Sequence, residues 1–268
     1  MGGGVKGVHI HPATPHLGTI EDAPVGRIAE AEAWLRSKGC TRARGPMGPT
    51  TWHPYRAVVN SNGRAPFFGE PTFSEEPWRQ RGFEPIAHYA SSVSDNAEQA
   101  EAAEARNCPL PSAGWTVQGL EGHGNFEAAL DCFHRISSAA FTEAFAYTPL
   151  PLDHFKAMYR PIESVIDPRL VLTAFTPTGK AAGFCFAMPD RLNPDSREFI
   201  IKTLAVDPAH HQLGIGSWLT GVVHRTAHRL GHTGGGIHAL MWTGSHSNAI
   251  SRHAATSFRR YALFEKAL

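Results

Sequence analysis

Charge of either sign is scarce in this chain: Asp, Glu, Lys and Arg together make up 18% of it, and the formal net charge is +1. No dense Lys/Arg cluster appears, which argues against a nucleic-acid partner. Cysteine is equally sparse. The four, Cys40, Cys108, Cys132 and Cys185, lack C-x-x-C spacing, so neither a zinc ribbon nor a disulfide scaffold is expected, only thiols in a reducing compartment. Long hydrophobic runs are missing as well. The longest, around Leu170 to Met188, is interrupted by Thr-Pro-Thr-Gly-Lys and is too broken to span a bilayer. No apolar core follows Met1-Gly-Gly-Gly, so no signal peptide is expected. These absences point to a cytoplasmic protein with no membrane partner. Its 268 residues suffice for one large domain or two small ones.

What the chain does have is concentrated between Glu198 and Leu230. Phe199 to Val206 (FIIKTLAV) reads as a strand, closed by Asp207-Pro208 because proline cannot extend a ladder. A loop with Gln212, Gly214 and Gly216 follows. Leu219, Val222, Val223, Ala227 and Leu230 then recur at helical spacing, with Ser217 expected as N-cap and Gly231 just past the end. A helix start leaves unpaired amides and partial positive charge. Glycines there let an anion approach, so the loop can cradle a phosphate or pyrophosphate. It is not a Walker loop, which needs a Gly-Lys-Ser/Thr ending. Nor is it a dinucleotide fingerprint, since Ser217, Trp218 and Leu219 follow Gly216.

The segment His211-Gln212-Leu213-Gly214-Ile215-Gly216 resembles motif A of the GCN5-related N-acetyltransferases (GNAT superfamily), Arg/Gln-x-x-Gly-x-Gly/Ala after a strand. His211 stands where that family has Arg or Gln. The order of expected elements from about Asn107 to Leu268, β-α-α-β-β-β-loop-α-β-α-β, resembles a whole GNAT domain. In it, Trp115 to Leu120 is the first strand, Phe126 to Phe145 and Asp153 to Val165 the helices, and Arg169 to Phe175 with Ala181 to Met188 a hairpin. Ile237 to Thr243, a helix from Asn248 to about Phe258 and a strand from Arg260 to Lys266 finish it. The resemblance implies an α/β (α+β) fold with a mixed central sheet flanked by helices, and acetyl-CoA, or another acyl-CoA, as co-substrate. The backbone of Leu204, Ala205 and Val206 would line the pantetheine, and residues from His211 to Ser217 the pyrophosphate. Asn248 and Ser251 match positions that contact pantetheine or the departing thiol. An amine attacking a thioester must lose a proton. Glu198 is the expected base, and the position of the family's usual acid, a Tyr, is occupied by Ala255, leaving Tyr261, His253 or Ser251 as substitutes. An acyl-carrier-protein thioester is an alternative donor, and a non-catalytic CoA-binding module the alternative without turnover. A homodimer is an open assembly.

The first half, Met1 to about Arg106, resembles a partial GNAT repeat without its opening strands, as in bacterial tandem acetyltransferases. It has a strand from Val5 to Ile10, a helix from Pro24 to Lys38, a strand from Thr41 to Gly45 and another from Pro85 to Ser92. It lacks a Gln-x-x-Gly-x-Gly loop, so no second coenzyme site is expected. His9, His11 and His16 read as solvated loop histidines, and no metal is expected. Asp95 to Arg106 reads as a solvated helix or linker, with the domain boundary there: a partial domain over 1–106, a complete one over 107–268. The Gly/Pro-rich stretch between the halves of this first domain carries Trp52, Tyr55, Phe68 and Glu70. These are expected to wall a cleft for a small, partly apolar amine.

Overall fold

A computed structural model describes residues 5–104, 110, 111 and 113–268. The expected domain boundary at Arg106–Asn107, and Cys108, lie outside the described residues. In chain order the elements are β1 (Val8–Ile10), β2 (Leu17–Ile20), α1 (Val25–Ser37), β3 (Arg42–Gly45), β4 (Ala57–Ser61), α2 (Glu76–Gln80), β5 (Glu84–Ser94) and α3 (Asn96–Glu104). After the gap come β6 (Thr116–Gln118), α4 (Phe126–Ala140), α5 (Leu152–Tyr159), β7 (Val171–Phe175), β8 (Ala181–Pro189) and β9 (Phe199–Val206). The chain ends with α6 (Ile215–Arg229), β10 (Gly236–Trp242), α7 (His246–Ser251) and β11 (Thr256–Ala267).

All the strands join one mixed sheet in the order β1-β2-β3-β11-β5-β10-β9-β8-β7-β6, with β4 pairing the edge of β11 left open by β3. The middle of this order is a reciprocal exchange. β5, from the first half, lies between β10 and β11 of the second; β11 lies between β3 and β5. On either side of the antiparallel β5–β11 seam stands a parallel pair joined by a helix, β2-α1-β3 and β9-α6-β10. The sheet therefore runs without interruption across the two stretches that the sequence suggests as separate domains.

Alternation along the strands sorts the core. On β8, Cys185 and Ala187 face α6 and join Leu219, Val223 and Ala227. Phe184 and Phe186 face the other way, toward α4 and α5, among Leu130, Phe133, Ile136 and Phe155. Phe133 stacks on Phe184 with centroids 4.4 Å apart, and each such buried ring contributes about 2–3 kcal/mol.

The sequence expectation of a solvated helix or linker at Asp95–Arg106 is corrected. α3 packs on α6, burying Asn96, Gln99, Ala100 and Ala103. The contact is close because Gly221 has no side chain: a Cβ there would lie 2.5 Å from that of Ala103. A charged, alanine-rich stretch hides this, since alanine serves equally on a wet or a packed face. His11 is also corrected from solvated to buried, its ring 3.3 Å from the Thr148 hydroxyl. His9 and His16 stay near the surface, on Glu21 and the Gly39 carbonyl. Short β2, β4 and α2 carry too little periodicity to be read from sequence, and the helix expected from Asn248 to Phe258 is only α7. No described helix is long and apolar enough to cross a membrane, and no described group of His, Cys, Asp and Glu could hold a metal ion.

Candidate acyl-donor cleft

β9 and β10 run side by side for only three pairs, Phe199–Gly236, Ile200–Ile237 and Ile201–His238, and then part. Each strand bulges just beyond the last pair. On β9 the register against β8 shifts between Ile201 and Thr203, making Lys202 the extra residue. On β10 the register against β5 shifts between His238 and Met241, and Leu240 takes a left-handed backbone with φ 54°. Bulges of this kind bend strands and re-aim side chains. Here they open a V.

The parted edge of β9 is a free hydrogen-bonding edge. Asp207 N–H donates to Ala182 O, which makes 207, 205 and 203 the residues bonded to β8 in the antiparallel alternation. The amides and carbonyls of Leu204 and Val206 therefore point into the V. Val206 O is already taken by the His211 ring at 3.1 Å. His211, the residue that departs from the GNAT motif, thus braces the strand end rather than reaching outward.

Beyond Val206 the chain makes a short helical turn at Pro208–His210, with Asp207 accepting from Ala209 N. It then uses two left-handed residues, Gln212 (φ 66°) and Gly214 (φ 82°), to enter α6. Gly214 is the N-cap, so Ser217 is corrected from the cap to the first turn. Gly231 (φ 93°) does follow the helix end as expected. The amides of Gln212, Gly214, Ile215 and Gly216 make no hydrogen bond among the described residues. Gly216 faces Ile250 of α7: a Cβ on it would sit 3.0 Å from Ile250 Cδ1, and near Leu204 and Val206. Unpaired amides and a missing side chain at a helix start fit a diphosphate.

The cavity in the V measures about 480 Å³ and is lined by both halves of the chain. Trp52 and Tyr55 line it, joined by Phe145, Tyr147 and Tyr159. Trp52 is held by Nε1–H donating to Thr148 O at 2.8 Å and by edge contact with Phe155. Phe68 and Glu70 are not among the lining residues. Phe68 is 40% exposed, and its amide donates to Asp190 Oδ1. The Glu70 side chain is buried, accepting from Tyr261 O–H and paired with Arg259.

The expected catalytic residues are placed elsewhere. Glu198 precedes β9, about 20 Å along the strand from Leu204, and is buried in an ion pair with Arg64. Tyr261 is fully buried on β11, donating to Glu70 and lying 3.0 Å from Ser91 Oγ. Asn248 gives its side-chain N–H to Thr243 O. Ser251 Oγ is buried without a partner among the described residues, and neither of these two lines the cavity. No described Asp or Glu lines it at all.

Three residues missed by the sequence reading stand at the apex. Lys202 counts as exposed because the cleft is open to water, yet protein packs closely around it; that crowding, then the charge of Arg56, lowers its pKa. Its signal was a lone charge inside FIIKTLAV. Arg56, with left-handed backbone (φ 76°), donates Nη1–H to Leu240 O at 2.7 Å and lies between the rings of Tyr55 and Tyr89. His238, the last residue of β10 to pair with β9, is buried with its pKa pushed down to about 4 by burial. Nothing local in sequence announces the last two.

No protein-family model matches this sequence, and comparison with curated proteins finds no relative. Solved structures do share its fold. A GCN5-related N-acetyltransferase from Sphaerobacter thermophilus matches over 90% of this chain and 67% of its own, at 16% identity and TM-score 0.55. The glucosamine N-acetyltransferase region of a fungal multi-domain GH3 β-N-acetylglucosaminidase matches over 93% of this chain and 29% of its own (12%, 0.58). A tandem GNAT protein from the clavulanic acid biosynthesis pathway matches over 94% and 75% (11%, 0.53). At such identities the likeness is one of fold: the chain has the mixed α/β fold of the GNAT superfamily.

Proposed function

We propose that this protein is an N-acyltransferase that moves an acetyl or other short acyl group from acyl-CoA to the amine of a small molecule. One observation carries the reading: the free backbone edge at Leu204 and the Val206 amide leads directly to the unpaired amides of Gln212, Gly214, Ile215 and Gly216. An extended pantetheine can continue the sheet along that edge as an added strand would. The diphosphate then meets the start of α6. Neither a peptide ligand nor a free nucleotide would use both features.

In this reading the acyl carbon lies at the apex, near Lys202 and His238. The amine nitrogen attacks it, a C–N bond forms, the C–S bond breaks, and CoA leaves as a thiolate that takes up a proton. The amine must shed its own proton. With no described Asp or Glu lining the cleft, that proton goes to His238 or to water. The tautomer of His238 follows from its partners. Asn96 Nδ2 donates to His232 O, so its Oδ1 accepts from His224 Nδ1; His224 Nε2 must then accept from His238 Nε2. This leaves a lone pair on His238 Nδ1. Trp52, Tyr55, Phe145, Tyr147 and Tyr159 supply an aromatic wall suited to a partly apolar acceptor.

The test is calorimetric titration with CoA and acetyl-CoA, followed by thiol-release assays over a panel of small amines. Binding of CoA with turnover of at least one amine is expected, with KM for that amine raised in Trp52→Ala and Tyr55→Ala. Absence of CoA binding would overturn the reading.

A further inference from the structure

The apex of the cleft holds two cations and no anion. Lys202 and Arg56 both line it, and no described Asp or Glu does. The Lys202 ammonium makes no ion pair or hydrogen bond among the described residues. Among the described residues the Arg56 guanidinium makes one hydrogen bond, to a carbonyl, Leu240 O, and its Nε is buried without a partner. The rings of Tyr55 and Tyr89, set edge to face, hold the guanidinium in place but supply no counter-charge. The charges feel one another, since Arg56 contributes to the lowered pKa of Lys202. Elsewhere in the described chain the buried arginines are compensated: Arg44 by Glu265 and Arg259 by Glu70. The buried charge of Arg56 is costly unless a ligand brings the counter-charge, and the like charge of Lys202 beside it adds to that cost.

The diphosphate of the donor cannot be that counter-charge. Lys202 lies four residues before Val206, about 13 Å down the strand from the loop that leads into α6. The apex is where the reacting ends of donor and acceptor meet.

We propose that Lys202 and Arg56 bind a carboxylate carried by one of the two reactants at the cleft apex. The inference rests on the acyl-transfer reading above and names its substrate class. The carboxylate has two sources in that reaction. On the acceptor it makes the substrate an amino acid, whose side chain would meet the aromatic wall; on the donor it makes the acyl group that of a dicarboxylic acid. The bulges on β9 and β10 serve this purpose, one turning Lys202 into the cleft, the other presenting the Leu240 carbonyl that fixes Arg56.

The experiment uses the full chain and matched pairs. Apolar L-amino acids are compared with their carboxamides using acetyl-CoA, and succinyl-CoA is compared with acetyl-CoA using the carboxamides. The carboxylate member of one pair is expected to lead in kcat/KM by about tenfold or more, the scale of one charge-assisted contact. Lys202→Met should level that preference and Lys202→Arg should restore part of it, with the CoA dissociation constant unchanged in both. Calorimetry with N-acetyl amino acids and their amides makes the same comparison without turnover. Equal performance within both pairs, or a preference that survives Lys202→Met, would overturn the proposal while leaving CoA binding intact. Loss of CoA binding in the unmodified protein would instead sink the acyl-transfer reading.

Discussion

His224 and His238 face each other with their Nε2 atoms 3.0 Å apart, His238 bordering the cleft and His224 tied to Asn96 behind it. Burial drives both pKa values down, to about 2 for His224, where the neighbouring His238 adds to the effect, and to about 4 for His238. The unfolded chain binds these protons near pH 6.5, the folded chain only far below. Stability is therefore intact above pH 6.5 and falls with acidification from there toward pH 4, by up to about 1.4 kcal/mol per pH unit for each histidine. Urea midpoints are expected to drop between pH 7 and pH 5, and to drop less in His224→Gln. Carboxylates with lowered pKa, Asp207 and Glu32, act only below their ordinary values and so below the interval from pH 7 to pH 5, whereas His11, His123 and His232, whose pKa values burial also lowers, add to the drop within it. A midpoint flat from pH 7 to pH 5 would contradict the buried neutral pair.

Gly216→Val tests the helix start. A Cβ there would press on Ile250 and stand near Leu204 and Val206, filling the passage between free edge and loop amides. CoA affinity is expected to fall by about tenfold or more, equivalent to about 1.4 kcal/mol, with little change in melting temperature because Ile250 can turn aside. Undiminished affinity by calorimetry would place the donor elsewhere.

The strand, glycine loop and helix beside the cleft were legible in sequence because they are local. β9, the loop and α6 follow one another within a single stretch, and their residues alone indicate a strand, a glycine loop and an apolar helix stripe, though not that Gly214 rather than Ser217 caps the helix. The apex of the cleft was not. Lys202 gains its place from a bulge whose cause is the register against β8, and Arg56 from a carbonyl exposed by a second bulge on β10. Glu198 and Tyr261 had suitable chemistry in sequence, but their partners, Arg64 and Glu70, lie more than a hundred residues away along the chain and take them out of the cleft. The strand exchange was hidden for the same reason: nothing in β5 or β11 alone says which edge each will join.

Glu198→Gln and Glu70→Gln separate folding from chemistry. Glu198 answers Arg64, and Glu70 answers a buried Arg259 while accepting from Tyr261 and Phe67 N. Removing the Glu70 charge strands the arginine and is expected to cost about 3–5 kcal/mol, seen as a lower denaturant midpoint. For both variants, kcat per folded molecule should stay within about twofold of the parent, because neither side chain lines the cleft. A collapse of kcat in Glu198→Gln with an unchanged midpoint would restore it as a base.

The exchange of β5 and β11 makes the last prediction, that residues 107–268 do not fold alone. Without β5, β10 would present a bare edge beside the cleft, and β11 would lose its neighbours on both sides, β3 and β4 as well as β5. The loss is also one of core. Ala262 and Phe264 of β11 pack with Ile28, Trp78 and Phe83, while Tyr261 and Leu263 pack with Met47, Ala87 and Tyr89. Phe264 alone would expose enough apolar surface to cost about 2–3 kcal/mol. The fragment is expected to be aggregated or loosely packed, as an unpaired strand edge promotes. Co-expressed with residues 1–106 it should form a one-to-one complex that binds CoA, and the intact chain should unfold in a single transition. A fragment that stays monomeric, melts cooperatively and binds CoA as the whole chain does would show that the seam is dispensable.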